Sequence, residues 1–590
     1  MGDDSNQTDF ESVVSRRRVL SIAGTVGAMT LAGCSGDSGT STADGNGDKT
    51  AESGVSSVSF VNAIANNPVD HHFNSAASQN FSWAAHRPLF APFMKYSFTD
   101  NEFLLGALSD FQIDGTEVEL TFRDDLKWED GSDWTTDDFE VQLELAKKVE
   151  NSLWGYLDGY EMNDEKTATL TLSGPTNPKI IKFELTNYFA DTKVSTHEQW
   201  LDKSAEEYLQ WAWEDPVATG FMKFVTKDQQ AFEYERNPEF YNADNINFET
   251  YLLKYYEGNT PQHQALAAGD QVDAASSLFT PPNTAEQFPD HVVEVNIPAK
   301  WGYGIVFNHN DPDFGNRAVR QAIAHVINRE ELVKNAGPRT KYSTGTPCGI
   351  APRDQEYWLA DWLGDFETYG ADSSQTDEAT TLLEDAGYTK SSGTWQNSNG
   401  DVLGGNYYTP AGWTDWTALT NTVVDQLNQF GFDFQISSKP TQDWTGQFSN
   451  SNFKIGALYW LPGGSRSSFP YFPLYYQLWA TDIGGGHNYR EIAESEQTIP
   501  SRDGSEMTIT PLEVTEKIAQ QSSDDEARQF VQQAAWHNHI DLPFLGLVSK
   551  FEQSWVTSDE WTNAEKETTN RRVKWPPFWW PQQGELQYSG

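Results

Sequence analysis

Hydrophobic and polar positions along the chain mark out a mixed series of strands and helices. In residues 118–128, VELTFRDDLKW, Val118, Leu120 and Phe122 alternate with polar neighbours. That period of two predicts a half-buried strand. An Asp130-Gly131 turn follows, then a helix that Thr135 or Thr136 can cap, with acids in its first turn. Acids there complement the helix dipole. Residues 221–237, FMKFVTKDQQAFEYERN, read as a two-stranded hairpin. Residues 316–335 space Val319, Ile323, Val326, Ile327 and Val333 at helical intervals and predict one helix. TDEATTLLEDAGY and LTNTVVDQLNQFGFDFQI each read as a helix stopped by glycine, at Gly387 and Gly431, and the second runs on into an alternating strand. Helix, glycine, strand is the α/β signature. No period of 20 to 50 residues repeats, which argues against a solenoid.

One apolar run lies close to the start, in SRRRVLSIAGTVGAMTLAGCSGD at residues 15–37. A spanning helix needs about 20 mostly apolar residues. The stretch 19–33 is shorter and carries Gly24, Gly27 and Gly33. Arg16, Arg17 and Arg18 before it, and small residues after it, make it an export signal. Ser15 to Leu20 resembles a twin-arginine signal, which exports folded proteins. Leu31-Ala32-Gly33-Cys34 resembles a lipobox, in which the cut falls before the cysteine and lipid is attached to it. Residues 35–54 have almost no apolar bulk and read as a flexible tether.

Acidic residues number 86 against 40 basic, a formal charge of −46 in 590 residues. That sign argues against nucleic acid, whose phosphates need clustered Lys and Arg, and against docking on anionic lipid. The acid is spread along the chain and is no acidic tail. Such a charge repels itself and weakens the compact state. At about 1 M salt the Debye length is about 3 Å, so the repulsion is largely screened. A halophilic source is therefore expected. With Cys34 assigned to the anchor, Cys348 has no disulfide partner and reads as a small buried hydrophobe. No Cys/His cluster suggests a zinc site.

The pieces follow one another in a familiar order. Residues 107–144 contain Arg123, Lys127, Trp128, Asp130, Gly131 and Asp138 at the spacing of a known signature stretch. Thr219-Gly220, Arg236-Asn237-Pro238 with Tyr241, ALAAGDQVDAA at 265–275, and GIVFNHNDPDFGNRAVRQAIAHVINREELV continue in register. Together they resemble the family 5 extracellular solute-binding proteins, the oligopeptide-, dipeptide- and nickel-binding components of ABC importers. The resemblance covers roughly residues 56–560. It implies an α/β, two-lobed fold of the periplasmic-binding-protein type II, with an extra domain and a ligand cleft between lobes. The division it implies is a signal at 1–33 and a tether at 34–55. Residues 56–95, 215–300 and 541–590 then form lobe I, 96–214 an additional domain inserted in it, and 301–540 a ligand-enclosing lobe II. Most of the motif residues read as structural: a turn at Asp130-Gly131, a core stripe from Val319 to Val333, loop punctuation at Gly269.

The resemblance also places the ligand. One family contact segment precedes the helix that ends at Gly431, here NYYTPAGWTDW with Tyr408, Trp413 and Trp416. A second follows the strand FKIGALYW and brings Tyr459 and Trp460. Peptide binders of the family place an aspartate a few residues on, to pair with a free amino terminus. Gly463 or Gly464 stands there, and the nearest charge is Arg466, a side chain suited to fork onto a carboxylate or phosphate. The four aromatics Tyr408, Trp413, Trp416 and Trp460 also suit stacking on sugar rings. FPYFPLYYQLWA at 469–480 borders the cleft or packs the lobe beneath it. The implied partners are a peptide or other small organic solute, the membrane subunits of an ABC permease, and the outer face of the cell membrane through lipid on Cys34. No cofactor or metal is expected, and a monomer is.

A secreted hydrolase is the competing class. Carboxylate pairs carry no signal among 86 acids. No Gly-x-Ser-x-Gly elbow and no His-Glu-x-x-His occurs. His537 with His539, and Asp70-His71-His72, are short groupings of a kind usually incidental. One expectation needs only the charge: dialysis from molar KCl into dilute buffer should unfold the protein, seen as lost tryptophan fluorescence and circular dichroism. Unchanged stability without salt would sink the halophilic reading.

Overall fold

The computed structural model describes residues 55–590 apart from 78 and 567. The signal, Cys34 and nearly all of the tether lie outside the described residues. The alternating stretches form strands in three principal sheets. The first has eight strands, running Val292–Pro298, Val548–Thr557, Ala274–Ala275, Ser56–Ile64, Phe248–Tyr255, Ala231–Arg236 and Met222–Lys227, with Lys341–Ser343 also on Val548–Thr557. The second has five: Asp433–Lys439, Gly404–Pro410, Ile455–Tyr459, Tyr303–Phe307 and Phe544–Gly546. The third is a four-stranded antiparallel sheet, Leu108–Asp114, Glu117–Phe122, Thr167–Leu172 and Leu157–Met162. The chain is therefore mixed α/β in two lobes, with an additional unit inserted in the first.

Local chemistry explains the elements. Val118, Leu120 and Phe122 are buried on one face of their strand. Helix Thr136–Lys148 begins with Thr135, whose backbone N–H donates to the Asp138 side chain at 3.2 Å. The other donors to Asp138 are the Trp128 indole at 3.0 Å and the Val194 backbone at 2.8 Å. These signature residues thus tie the inserted unit together. Helix Thr414–Phe430 ends at Gly431, whose φ of 117° lies in the left-handed region that glycine adopts freely. It connects Gly404–Pro410 to Asp433–Lys439, which pair in parallel, a βαβ crossover.

Residues 316–335 differ from expectation. They form two helices, Arg317–Val326 and Arg329–Ala336. Ile327 between them is extended, with φ −84° and ψ 111°. Asn328 caps the second helix by accepting the Glu331 N–H at 3.0 Å. The hydrophobic stripe runs through the break because both helices pack on the same core. Cys348 is buried and free, its thiol pushed up to about 12 by burial.

Among the described residues, six carboxylic acids are buried: Asp138, Glu184, Asp191, Asp313, Asp354 and Asp541. Each meets a donor, and Asp541 meets both Arg317 and Arg320. Asp415 and Asp482 also have buried carboxylate oxygens, and most of the other described acids are at least partly exposed, which leaves most of the charge where salt can screen it.

Two short segments join a strand of the first sheet directly to a strand of the second. One runs from Pro298 to Tyr303 and the other from Gly546 to Val548. They cross in contact: Ala299 N–H donates to Lys550 O at 3.0 Å, Lys550 N–H to Trp301 O at 3.1 Å, and Leu547 N–H to Tyr303 O at 3.1 Å. A Cβ at Gly302 would fall 1.9 Å from the Val548 carbonyl oxygen, so only glycine permits this approach. Beside the crossing, Lys300 Nζ meets both Asp354 oxygens at 2.8 and 2.7 Å, with side chains 1% and 5% exposed. Burial presses the Lys300 ammonium down and the Asp354 carboxyl up from their ordinary ranges. Removing one partner of such a pair strands a buried charge. Asp354→Ala should therefore lower unfolding stability by about 3–5 kcal/mol, whereas Asp354→Leu with Lys300→Met should recover most of it. Urea midpoints in high salt check both; a near-neutral Asp354→Ala would show the pair is dispensable.

Candidate functional site

The crossing segments open onto the seam between the lobes. Trp301, half-buried, lies beside the crossing under Lys550, whose Nζ is 4.3 Å from its ring centre. Lys550 and Lys341 reach Asp415 at 3.9 and 3.3 Å. Asp415 sits in the first turn of helix Thr414–Phe430. Burial acts upward on its carboxyl, but Lys550 and Lys341 outweigh it and hold the group below the usual carboxylate range. From lobe I, Phe279 lies 4.5 Å from Lys341 Nζ. Near the hinge, aromatic rings thus lie beside two lysines that share one aspartate.

The expected site residues divide into three groups. Trp413 and Tyr408 are half-buried at the edge of the lobe II core. Trp416 is 1% exposed and packed on Tyr303, Trp413 and Trp444, with ring centres 5.0 to 5.8 Å away. Its place in the first two turns of an amphipathic helix turns it into the lobe core. Trp460 is also 1% exposed. It is clamped between Gly304 and Gly546, and its indole donates to Val548 O at 3.2 Å. Trp460 therefore holds the hinge, and Trp460→Ala would open a cavity as well as touch any ligand. Tyr459, 8% exposed, stacks on Tyr476 and faces Trp301 edge-on. Trp301 in turn lies against Gly463.

Arg466 has a different setting. Its Nη2 meets Glu184 Oε2 at 2.6 Å and the Ser152 hydroxyl at 3.1 Å. Ser465 contacts Thr186 at 3.2 Å. Glu184, Ser152 and Thr186 belong to the inserted unit, so the loop after Trp460 fastens lobe II to it. The carboxylate that Arg466 was expected to find on a solute is supplied here by the chain itself. Residues 469–480 pack beside this contact, as helix Tyr471–Trp479, with Phe472 edge-on to Phe183. His539 bonds to the Pro347 carbonyl and the Glu367 backbone, and His537 lies near Tyr489 and Asn538. No group of three or more potential metal ligands occurs among the described residues.

Next to the Arg466 contact is a cavity of about 50 Å³, bordered by lobe I, the inserted unit and Ser465 of lobe II. Arg87, Lys95, Asn187, Lys574 and Trp575 line it. None of these was singled out in the sequence. The available signal was the rarity of Arg and Lys in so acidic a chain.

A two-lobed α/β fold with two crossing connections and an aromatic seam defines a solute-binding protein of the periplasmic kind. The model of the bacterial extracellular solute-binding proteins, family 5, middle region, matches residues 107–482, and the chain belongs to that family. The oligopeptide-binding protein OppA of Bacillus subtilis is 25% identical over 240 residues, 38% of this chain and 44% of that one. The matched stretches span about half the length of the curated relatives, 44% and 58% in two cases. Among solved structures, a periplasmic oligopeptide-binding protein of Thermotoga maritima with bound mannohexaose superposes with a TM-score of 0.71. It is 18% identical, over 92% of this chain and all of that one. AppA of Bacillus subtilis in complex with a nonapeptide gives 0.65 at 16% identity, over 90% and 99%.

The lobe contact is testable. Arg466→Ala leaves Glu184, 2% exposed, with Ser152 as its remaining side-chain donor. That should weaken closure by about 3 kcal/mol, the low end for breaking a buried pair. Small-angle scattering of the ligand-free protein should show a larger radius of gyration; an unchanged radius would mean the pair does not hold the lobes.

Proposed function

We propose that this protein is the extracellular receptor of an ABC importer, which captures a peptide-like or other small organic solute between its lobes and delivers it to the permease. The observation that carries this reading is the seam itself. Half-buried aromatic faces, Trp301, Trp413 and Tyr408, adjoin a hinge of two crossing strands, so a solute can be enclosed and released without chemistry. Family membership supports it, and the relatives are binding proteins. The N-terminal motifs support export and tethering by lipid on Cys34, and the charge of −46 supports a halophilic cell. A monomer suffices, because each chain holds both lobes.

Oligosaccharide is the second reading for the solute. The same indole faces suit sugar rings, and the Thermotoga neighbour was crystallised with mannohexaose. The place of the aspartate that would pair a peptide's ammonium is filled by Gly463 or Gly464, which favours ligands without that group.

The experiment is capture. The mature protein in high salt is incubated with mixed peptides and with mixed oligosaccharides, washed, and its retained solute identified by mass spectrometry. Retention of unaltered solute is expected, and Trp301→Ala or Trp413→Ala should weaken it about tenfold or more, on the scale of one lost stacking contact. Product formation would overturn the receptor reading in favour of a hydrolase.

A further inference from the structure

One short motif in lobe I meets the conditions for a covalent modification. Asn80-Phe81-Ser82 is an asparagine followed two places later by a hydroxyl residue, with no proline between. That pattern is the acceptor sequence for an N-linked glycan in exported proteins. Across residues 35–590 it occurs once: every other asparagine there has neither serine nor threonine two positions on. The earlier match, Asn6-Gln7-Thr8, lies within the stretch that reads as a removable export signal.

The structure presents the acceptor on the outside. Asn80 is exposed, in the connection between strand Ser56–Ile64 and helix Trp83–His86. Its φ of 57° lies in the left-handed region, which asparagine enters more readily than most residues. Its backbone carbonyl accepts the His72 N–H at 2.7 Å, which anchors the turn. Its side chain makes no hydrogen bond or ion pair among the described residues, so the amide nitrogen has no competing contact there.

Ser82 has a second duty. Its hydroxyl accepts the Ala85 N–H at 3.4 Å and caps helix Trp83–His86, and the residue is 3% exposed. A transferase must reach that hydroxyl as well as the amide, so the turn opens for transfer. The opening is local. The helix has four residues, its cap bond is long, and Phe81 is tied to His72 by an isolated bridge outside any sheet. Phe81 meets Trp83 and His86 edge-on, ring centres 4.9 and 5.4 Å away, but lies outside the hydrophobic core of the lobe. Segments of this kind open ahead of the core.

On these observations we propose that Asn80 is an N-glycosylation site, modified on the outer face of the cell. This rests on the export reading. The donor is a lipid-linked oligosaccharide phosphate. Asn80 Nδ2 attacks the anomeric carbon of its first sugar. A C–N bond forms, the C–O bond to phosphate breaks, the lipid phosphate leaves, and one Nδ2 proton passes to a base of the transferase. The product is bulky and solubilising and belongs on a surface, which is where the turn holds Asn80.

The test uses the full protein recovered from the outer face of intact cells of its own source, in molar KCl. Proteolysis and mass spectrometry of the peptide spanning Asn80 read the modification apart from any lipid on Cys34. The wild-type peptide should be heavier than its sequence mass, with fragmentation placing the added sugar on Asn80. Asn80→Asp keeps nearly the same shape and leaves the Ser82 cap in place; it should remove the addition completely. Ser82→Thr keeps both hydroxyl and cap and should retain it, whereas Ser82→Ala should lose it. An Asn80 peptide found only at its sequence mass, or added mass that persists in Asn80→Asp, overturns the proposal while the export reading stands. Absence of the protein from the outer face overturns both.

Discussion

The close passage of Gly302 under the Val548 carbonyl is the constraint on which the rest of the structure depends. Both direct connections between the two large sheets pass this point, and a Cβ there would be 1.9 Å from the oxygen. Because the segments touch, their backbone groups satisfy one another and the crossing needs no further element to cover it. The buried Lys300 and Asp354 pair then sits against it. Exchange of both for apolar residues costs little in principle, so the pair is better understood as fixing where the connection bends. Trp460 fills the space between Gly304 and Gly546 on the other side. Glycine, ion pair and indole together leave the lobes one joint about which to move.

Closure is decided farther from that joint, where small groups act with a longer lever. Arg466 on Glu184 and Ser465 on Thr186 connect lobe II to the inserted unit instead of to lobe I. The inserted unit shares a continuous hydrophobic core with lobe I and with lobe II residues such as Trp358, Phe469, Tyr471 and Trp536, so the polar contact reinforces an apolar one. An inserted domain with its own four-stranded sheet thereby has a mechanical use. It extends lobe I until lobe II can reach it.

The sequence made local structure readable and long-range structure much less so. The hairpin at 221–237, the strand at 117–122 and the helix, glycine, strand unit ending at Lys439 were all legible, because period and punctuation are local properties. The break at Ile327 was hidden, since the apolar stripe keeps its phase across it and the cap on Asn328 looks like any helical asparagine. Trp413 and Tyr408, which the family resemblance set beside the ligand, are half-buried at the edge of the lobe II core. Trp416 and Trp460 show the limit of that reasoning: a tryptophan in a binding segment has the same sequence signature whether it faces the solute or the lobe core. Glu184 could not be found from Arg466, since 282 residues separate them. The cavity is harder still, because its cations come from residues 87, 95 and 574 and no pattern along the chain relates them.

Charge unites these observations. A surface with an excess of carboxylates survives in strong salt because screening acts on groups that water and ions can reach. The same screening would defeat capture of a charged solute by any exposed cation. Groups buried between packed elements, as Lys300 and Asp354 are, lie beyond that screening. Arg87 lies between the indoles of Trp83 and Trp575, a cation covered by aromatic faces. Lys300 with Asp354, and Arg466 with Glu184, are pairs largely out of reach of salt, and they lie at the crossing and at the contact with the inserted unit.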